Sequence, residues 1–456
     1  MIIAVTINSI DRHNKGLSMS GLPRLNLTCI KIGLLLAALS PTAWAESLLD
    51  VYQAAVVSDP TLAQAAANRL ADQEAEPQAK ALQLPELNAS GSVEQTFLDN
   101  EPNFSDSSIR TKNANVTVTQ SLYNRSNQVQ IRRAEFVVDR AEADYLDAQQ
   151  DLILRVTQSY FDVLARRDDL SFRTADKNAI ARQLEQAKRR FEVGLITITD
   201  VEEAQAQYDL AVSFEIRAVN DLAASKEALR EITGEFYNRL HLLSDRITLS
   251  LPDPPDLDAW VQQALKNNPV LLSAAYNVER AREDVNLQRA NRYPTLNLTG
   301  SVSETDSTSS GFIRDSTIGL RLNVPIYEGG AKSSRVREAA YRYEAAKEFL
   351  EIQQRNIVRN VRDAYRGVEL SISQITALDQ ARKSNRSALE ATEAGFEVGT
   401  RTIVDVLNAQ RNLFGAERDY SQARYGYIVS DLGLKRAAGL ISMEDIERIN
   451  AWLDPP

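Results

Sequence analysis

One segment occurs twice in this chain, and each copy carries an aspartate at the same step. Residues 191–205 read FEVGLITITDVEEAQ and residues 396–410 read FEVGTRTIVDVLNAQ, placing Asp200 and Asp405 six residues after Gly194 and Gly399. Neither carboxylate has the partners that bond-making chemistry requires. The single cysteine, Cys29, lies in an N-terminal segment that reads as removable. His241 stands beside Leu242 and Leu243, the setting of a packed or surface histidine rather than a metal ligand. No Ser/His/Asp set and no Gly-rich phosphate loop is present. The inventory argues against an enzyme, and neither a metal nor a cofactor is expected. Each aspartate instead follows a glycine-centred turn between two very long helical patterns. The repeated segment therefore reads as the tip of a helical hairpin, present twice.

The repeat reaches beyond the tips. Pro60, Pro85, Leu87, Asn88 and Gly91 recur in order as Pro269, Pro294, Leu296, Asn297 and Gly300. Tyr123, Gly194, Asp200 and Gly234 recur as Tyr327, Gly399, Asp405 and Gly439. A period of roughly 205 residues is too long for a solenoid unit and indicates a duplicated module. The expected organisation is a first structural repeat over 46–250, a linker at 251–255 reading LPDPP, a second repeat over 256–440 and a tail over 441–456, helical until the final prolines. Residues 47–84 predict two helices, the second opened by Asp59-Pro60, and 258–293 copy them with Asn268-Pro269. Pro85 and Pro294 then stop the helix.

After each of those prolines the hydrophobic period changes to strict alternation. Leu87, Ala89, Gly91 and Val93 alternate with Asn88, Ser90, Ser92 and Glu94, and Ala114, Val116, Val118 and Leu122 with Asn115, Thr117, Thr119 and Ser121. In the second copy Leu296, Leu298, Gly300 and Val302, then Ile318, Leu320, Leu322 and Val324, oppose polar neighbours. The pattern predicts four strands with one apolar and one polar face, and polar loops at 99–108 and 304–311. The apolar faces carry no bulky core set, and the predicted lengths suit a strand crossing a bilayer. Four strands do not close a barrel, and lipid tolerates no open edge. Several chains must then share one barrel; three chains of four strands give twelve.

The elements that carry the tips are long. No Gly or Pro occurs between Asn103 and Val193, which predicts a helix on the order of 100 Å before the first tip. Ala134, Val138, Ala141, Tyr145, Ala148 and Leu152 form a heptad-like seam, and Val336, Ala339, Tyr343, Ala346 and Leu350 repeat it. Returning from the tips, Val201, Ala204, Tyr208, Ala211, Ala218 and Leu222 correspond to Val406, Ala409, Leu413, Ala416, Ala423 and Tyr427. Gly234 and Gly439 are expected to end the two return helices. The predicted fold class is an α+β membrane protein. It combines a long coiled-coil α-helical barrel with four β-strands per chain, contributed to a trimeric 12-stranded transmembrane β-barrel.

Residues 1–45 read as a signal peptide, with Arg24 and Lys31 before an apolar run at 32–39 and Ala43-Trp44-Ala45 before Glu46. The chain has a formal net charge of −10, and loss of that segment leaves the remainder more acidic still, which argues against nucleic acid as a partner. No later stretch is apolar enough for a transmembrane helix. Export, lipid-type strands and long helices together suggest a conduit: strands in a Gram-negative outer membrane, helices projecting into the periplasm, polar strand faces lining a lumen.

From Glu46 to about Gly439 the chain resembles the TolC family, outer-membrane exit ducts for drug efflux pumps and type I secretion. The match is carried by FEVGLITITDVEEAQAQYD (191–209), FEVGTRTIVDVLNAQ (396–410), YPTLNLTGS (293–301) and VPIYEGG (324–330). The resemblance implies a homotrimer without enzymatic activity, embedded in outer-membrane lipid. It also implies two partners, a periplasmic adaptor (membrane fusion) protein and an inner-membrane efflux or ABC transporter. By position it assigns a gate ring to Asp405 and Asn408, the latter standing where the family has a second aspartate. It assigns a gate latch to Gln183, Thr199, Asp200, Glu393, Phe396 and Arg401, with Phe396 in place of a tyrosine. Adaptor docking falls on Val193, Gly194, Leu195, Val398, Gly399 and Thr400. A general diffusion porin, open at rest, fits the strand pattern alone but has no use for helices of this length.

Overall fold

The structure is a computed structural model that describes residues 46–98 and 107–455. The expected signal peptide and most of the loop expected at 99–108 lie outside the described residues. The elements run α1 (Leu48–Ser58), α2 (Pro60–Gln73), α3 (Ala75–Ala81), β1 (Glu86–Leu98), β2 (Ser107–Tyr123), α4 (Arg125–Glu192) and α5 (Ile198–Thr233). They continue with β3 (Leu242–Leu243), α6 (Leu257–Asn267), α7 (Pro269–Ala290), β4 (Thr295–Ser307), β5 (Gly311–Asn323), α8 (Ala331–Glu397), α9 (Ile403–Ala437), α10 (Met443–Asn450) and β6 (Leu453–Asp454).

The short helices begin where their caps dictate. Asp59 accepts a 2.8 Å hydrogen bond from the Leu62 amide, and Asn268 accepts from the Val270 and Leu271 amides, with Pro60 and Pro269 in the first turn. Residues 47–84 hold three helices rather than the two expected. The break falls at Glu74 because Pro77 has no amide to donate and its ring opposes the carbonyl of Gln73, four residues back.

The four long strands form one antiparallel sheet in the order β1-β2-β4-β5. The register stacks like residues in rows: Leu87, Val118, Gly300 and Ile318 in one, Ala89, Val116, Val302 and Ser316 in the next. Leu87, Val93, Ile318, Leu320 and Leu322 are all more than three-fifths exposed, so this face has no cover among the described residues. Among the described residues β1 and β5 each pair on one side only. The strands are longer than the alternation implied. Most of 304–311, expected as loop, continues the β4–β5 ladder, and only 308–310 turns. Here the outward rows become charged. Arg314 Nε donates to Glu304 at 2.7 Å and Lys112 Nζ lies 3.4 Å from Asp306. Cross-strand ion pairs hold this end, so the apolar alternation that reveals a strand is missing.

The helices carry the rest. The α4 helix spans 68 residues and α8 spans 67, each about 100 Å long. α4 packs against α5, α7 and α9, and α8 against α7 and α9. Among the described residues no helix is long and apolar enough to cross a membrane. The small-residue seams are buried where predicted, at Ala134, Ala141, Ala211, Ala218, Ala339 and Ala346. Bulky residues concentrate halfway along the long helices. Phe161 stacks on Tyr425 at 5.5 Å and meets Tyr160 edge-on, among Leu152, Leu164, Val361, Val368 and Leu432. The tail belongs to this core: Ile446 and Ile449 are fully buried, and Leu453 of β6 pairs with Leu243 of β3.

Candidate gate and docking tips

Both tips are built by the same backbone chemistry. α4 ends at Glu192, and the chain reverses through Gly194 at φ 75°, with the Gly194 amide donating to the Phe191 carbonyl and the Leu195 amide to Arg190, both at 2.9 Å. α8 ends at Glu397 and reverses through Gly399 at φ 79°, the Gly399 amide donating to Phe396 at 3.1 Å. An L-residue with a Cβ is strained at such φ values, which explains the glycine in each copy. The return helix then starts on a capping box. Asp200 Oδ2 accepts from the Thr197 amide and hydroxyl, both at 2.8 Å, and Asp405 Oδ2 accepts from the Thr402 amide and hydroxyl at the same distances.

The recurring aspartates therefore each have a local task within their own hairpin. The Thr402 amide, then its hydroxyl, then the Arg401 charge hold the Asp405 carboxyl below the usual carboxylate range, and Thr197 does the same for Asp200. Both carboxylates stay charged at neutral pH. Asp405 Oδ1 makes no hydrogen bond among the described residues and is free to face a cation. Asn408 is exposed on α9, almost one turn further along.

The residues assigned to a latch divide between the hairpins. Gln183 and Asp200 come together along one groove of about 640 Å³, lined also by Gln186, Arg190, Glu203 and Val404. Thr199 is exposed on the first turn of α5. Glu393, Phe396 and Arg401 belong to the other hairpin and are exposed; among the described residues Arg401 makes no ion pair with Asp200. Its stem lies over the bare backbone of Gly395, where a Cβ would come within 2.8 Å of Arg401 Cγ. Gly395 also receives the Thr400 and Arg401 amides on its carbonyl, at 2.8 and 3.1 Å. The docking positions form two apolar points: Val193, Leu195 and Val398 are 70, 72 and 75 % exposed.

One set of residues escaped the sequence reading. α4 and α9 are tied by a polar ladder along their contact. Arg436 Nη2 meets Asp147 at 2.6 Å, Tyr425 Oη donates to Asp168 at 2.8 Å and Arg418 Nη1 lies 3.4 Å from Asp169. Nearest the tips, Arg411 grips Asp176 with two bonds, Nε to Oδ1 at 2.8 Å and Nη2 to Oδ2 at 3.3 Å. The signal was present: Arg411, Arg418 and Tyr425 recur every seven residues, as do Asp169 and Asp176. A heptad search restricted to apolar residues passes over it.

The family model described as outer membrane efflux protein matches residues 51–235 and 260–440. The chain is 40% identical over 425 residues to outer membrane protein TolC of Vibrio cholerae serotype O1, covering 92% of this chain and 96% of that one. It is 27% identical over 435 residues to the alkaline protease secretion protein AprF of Pseudomonas aeruginosa, covering 92% and 90%. The fold superposes on the Campylobacter jejuni CmeC outer membrane channel with a TM-score of 0.73 at 16% identity, over 96% of this chain and 98% of that one. The chain belongs to the outer membrane efflux protein family and is a TolC-type protein of the outer membrane.

Proposed function

We propose that three copies of this chain assemble into one exit duct, closed at its periplasmic tips, that serves drug efflux pumps and type I protein secretion. The observation that carries this reading is the four-stranded sheet, which among the described residues has two unpaired edges and an uncovered apolar face. Unpaired edges are not tolerated in hydrocarbon, so β5 of one copy pairs with β1 of the next, and three sheets close a twelve-stranded barrel. Residues 46–250 and 256–440 act as two copies of one strand-and-hairpin module, and 1–45 is removed on export. The helices continue the barrel into the periplasm.

At the tips, three Asp405 carboxylates converge with three Asn408 amides one turn on. A ring this tight attracts cations even at physiological salt, where screening acts over about 8 Å. Gln183, Thr199, Asp200, Glu393, Phe396 and Arg401 latch neighbouring hairpins, Arg401 reaching Asp200 or Thr199 of an adjacent tip. Exposed pairs of this kind are worth about 0–1 kcal/mol each, so a partner supplying competing contacts releases them. Val193, Gly194, Leu195, Val398, Gly399 and Thr400 give a periplasmic adaptor its docking points, and an inner-membrane efflux or ABC transporter supplies the cargo.

Single-channel conductance of the purified protein in a planar bilayer tests the reading. The expected result is a small, cation-selective conductance blocked by a divalent cation from the tip side, with block lost in Asp405→Ala and strengthened in Asn408→Asp. A large, unselective conductance indifferent to Asp405 would establish the open porin instead.

A further inference from the structure

The ladder between α4 and α9 stops abruptly, and where it stops has a consequence for movement. Its rungs follow a heptad on both helices: Arg418 with Asp169, then Arg411 with Asp176. Seven residues further toward the tips the same register brings Val404 opposite Gln183. That pair makes no hydrogen bond, and both residues line the 640 Å³ groove, which is walled by α4 and α5 and reached from α9 by Val404. Beyond the groove, among the described residues, no hydrogen bond or ion pair joins the α4–α5 hairpin to the α8–α9 hairpin. Asp176 is the last tie. Its side chain is 8 % exposed and its partner Arg411 is 45 % exposed. A carboxylate this buried needs its cation, and the cation is reachable from the surface.

We propose that the Asp176–Arg411 pair is the fulcrum on which each tip moves, a positioning element for the gate. The proposal rests on the gated-duct reading. Behind the pair, the remaining rungs and the aromatic core hold the two hairpins as one body. Ahead of it, about 24 Å of α4 and about 12 Å of α9 carry the tip with no hydrogen bond or ion pair between hairpins among the described residues. Contacts with neighbouring copies hold these free segments while the gate is shut. Opening swings them outward about the last rung, so the rung's position sets how much of each hairpin moves.

The test changes the length of the zipper in both directions, with the full-length trimer in a planar bilayer. Asp176→Asn and Arg411→Gln each remove the last rung and are expected to raise the resting conductance several-fold over the unaltered protein, with Arg411→Lys in between. Gln183→Cys combined with Val404→Cys adds a rung; the sole natural cysteine is Cys29, so no other thiol in 46–456 competes. In an Arg401→Ser background, which frees the latch, oxidation of that cysteine pair is expected to return the conductance to the resting level and a reductant to release it. If Arg401→Ser conducts more while Asp176→Asn and Arg411→Gln conduct like the unaltered protein, the gate stands and the fulcrum is refuted. An unaltered protein already wide open, and indifferent to Arg401→Ser, refutes the gate and the fulcrum together. Should the single variants fail to form trimers, the cysteine pair decides: a conductance that stays high on oxidation overturns the proposal.

Discussion

Halfway along the long helices, the two hairpins are held by bulk; at their tips, they are held by caps. Tyr160, Phe161, Leu152, Leu432 and Leu434 are 0–1 % exposed and interlock with α1, α6 and α10. The tips bury small residues such as Ala204 and Ala211, and each is tied within its own hairpin by a capping box and by the hydrogen bonds of its glycine turn. The difference teaches how one continuous helix serves two purposes. Bulky packing makes the middle a rigid body. Small seam residues and local caps keep the tips folded without committing them to each other, which leaves their mutual contacts open to change.

The sharpest way to break that contrast is to weaken the middle. Phe161→Ala removes a fully buried ring stacked on Tyr425, and a loss of about 3–5 kcal/mol is expected. Thermal unfolding should fall in one step, helices and tips together. If only the tips lost protection in hydrogen exchange, the middle would not be a rigid body.

A buried ion pair gives the next effect. Arg155 donates to Asp59 through Nη1 at 3.2 Å and Nη2 at 2.8 Å, and the Asp59 side chain is 2 % exposed. Arg155→Gln is expected to cost about 3 kcal/mol, because it strands a buried charge. Burial opposes the Asp59 charge, but the Arg155 hydrogen bond and the Leu62 amide outweigh it and hold the carboxyl below its usual range. A depressed folded value contributes stability above the unfolded pKa, about 3.9, and that contribution disappears as pH falls through the lower folded value. Melting temperatures recorded between pH 6 and pH 2 should show a shallower acid loss in Asp59→Asn.

The tip caps should give the smallest change. Thr402→Ala removes both the hydroxyl that satisfies Asp405 and the acceptor for the Asp405 amide, at a cost of about 1 kcal/mol. Hydrogen exchange should quicken across the first turns of α9 while the global melting point holds. Thr197→Ala should do the same for α5. Equal loss of stability throughout the chain would mean that the tips are coupled to the middle after all.

Much of this molecule was legible as periodicity. The glycine turns, the two long helices and the apolar rows of the sheet announce themselves because one face of each repeats at 3.5 or 2 residues. Legibility failed where burial is not the organising force. The distal rows of the sheet are held by Arg314 with Glu304 and Lys112 with Asp306, so they lack apolar alternation. The split of 47–84 followed from one proline whose effect depends on the carbonyl it meets. The resemblance alone assigns a ring to Asp405 and a latch to its neighbours; the capping boxes, Thr197 with Asp200 and Thr402 with Asp405, are spelled out as Thr-x-x-Asp, a signal that a reading of these segments as glycine turns passes over.

The sequence by itself determined the elements and their local ends. Pro, Gly, Asp and Thr act on the backbone within four residues, and hydrophobic period selects helix or strand regardless of what lies opposite. Only the tertiary structure decided the pairings: β2 against β4, the tail inside the core, and Arg411 on Asp176 across 235 residues of chain. Those choices depend on which surfaces meet at once, since a buried carboxylate or an uncovered row is stable only when its partner arrives with the rest of the fold.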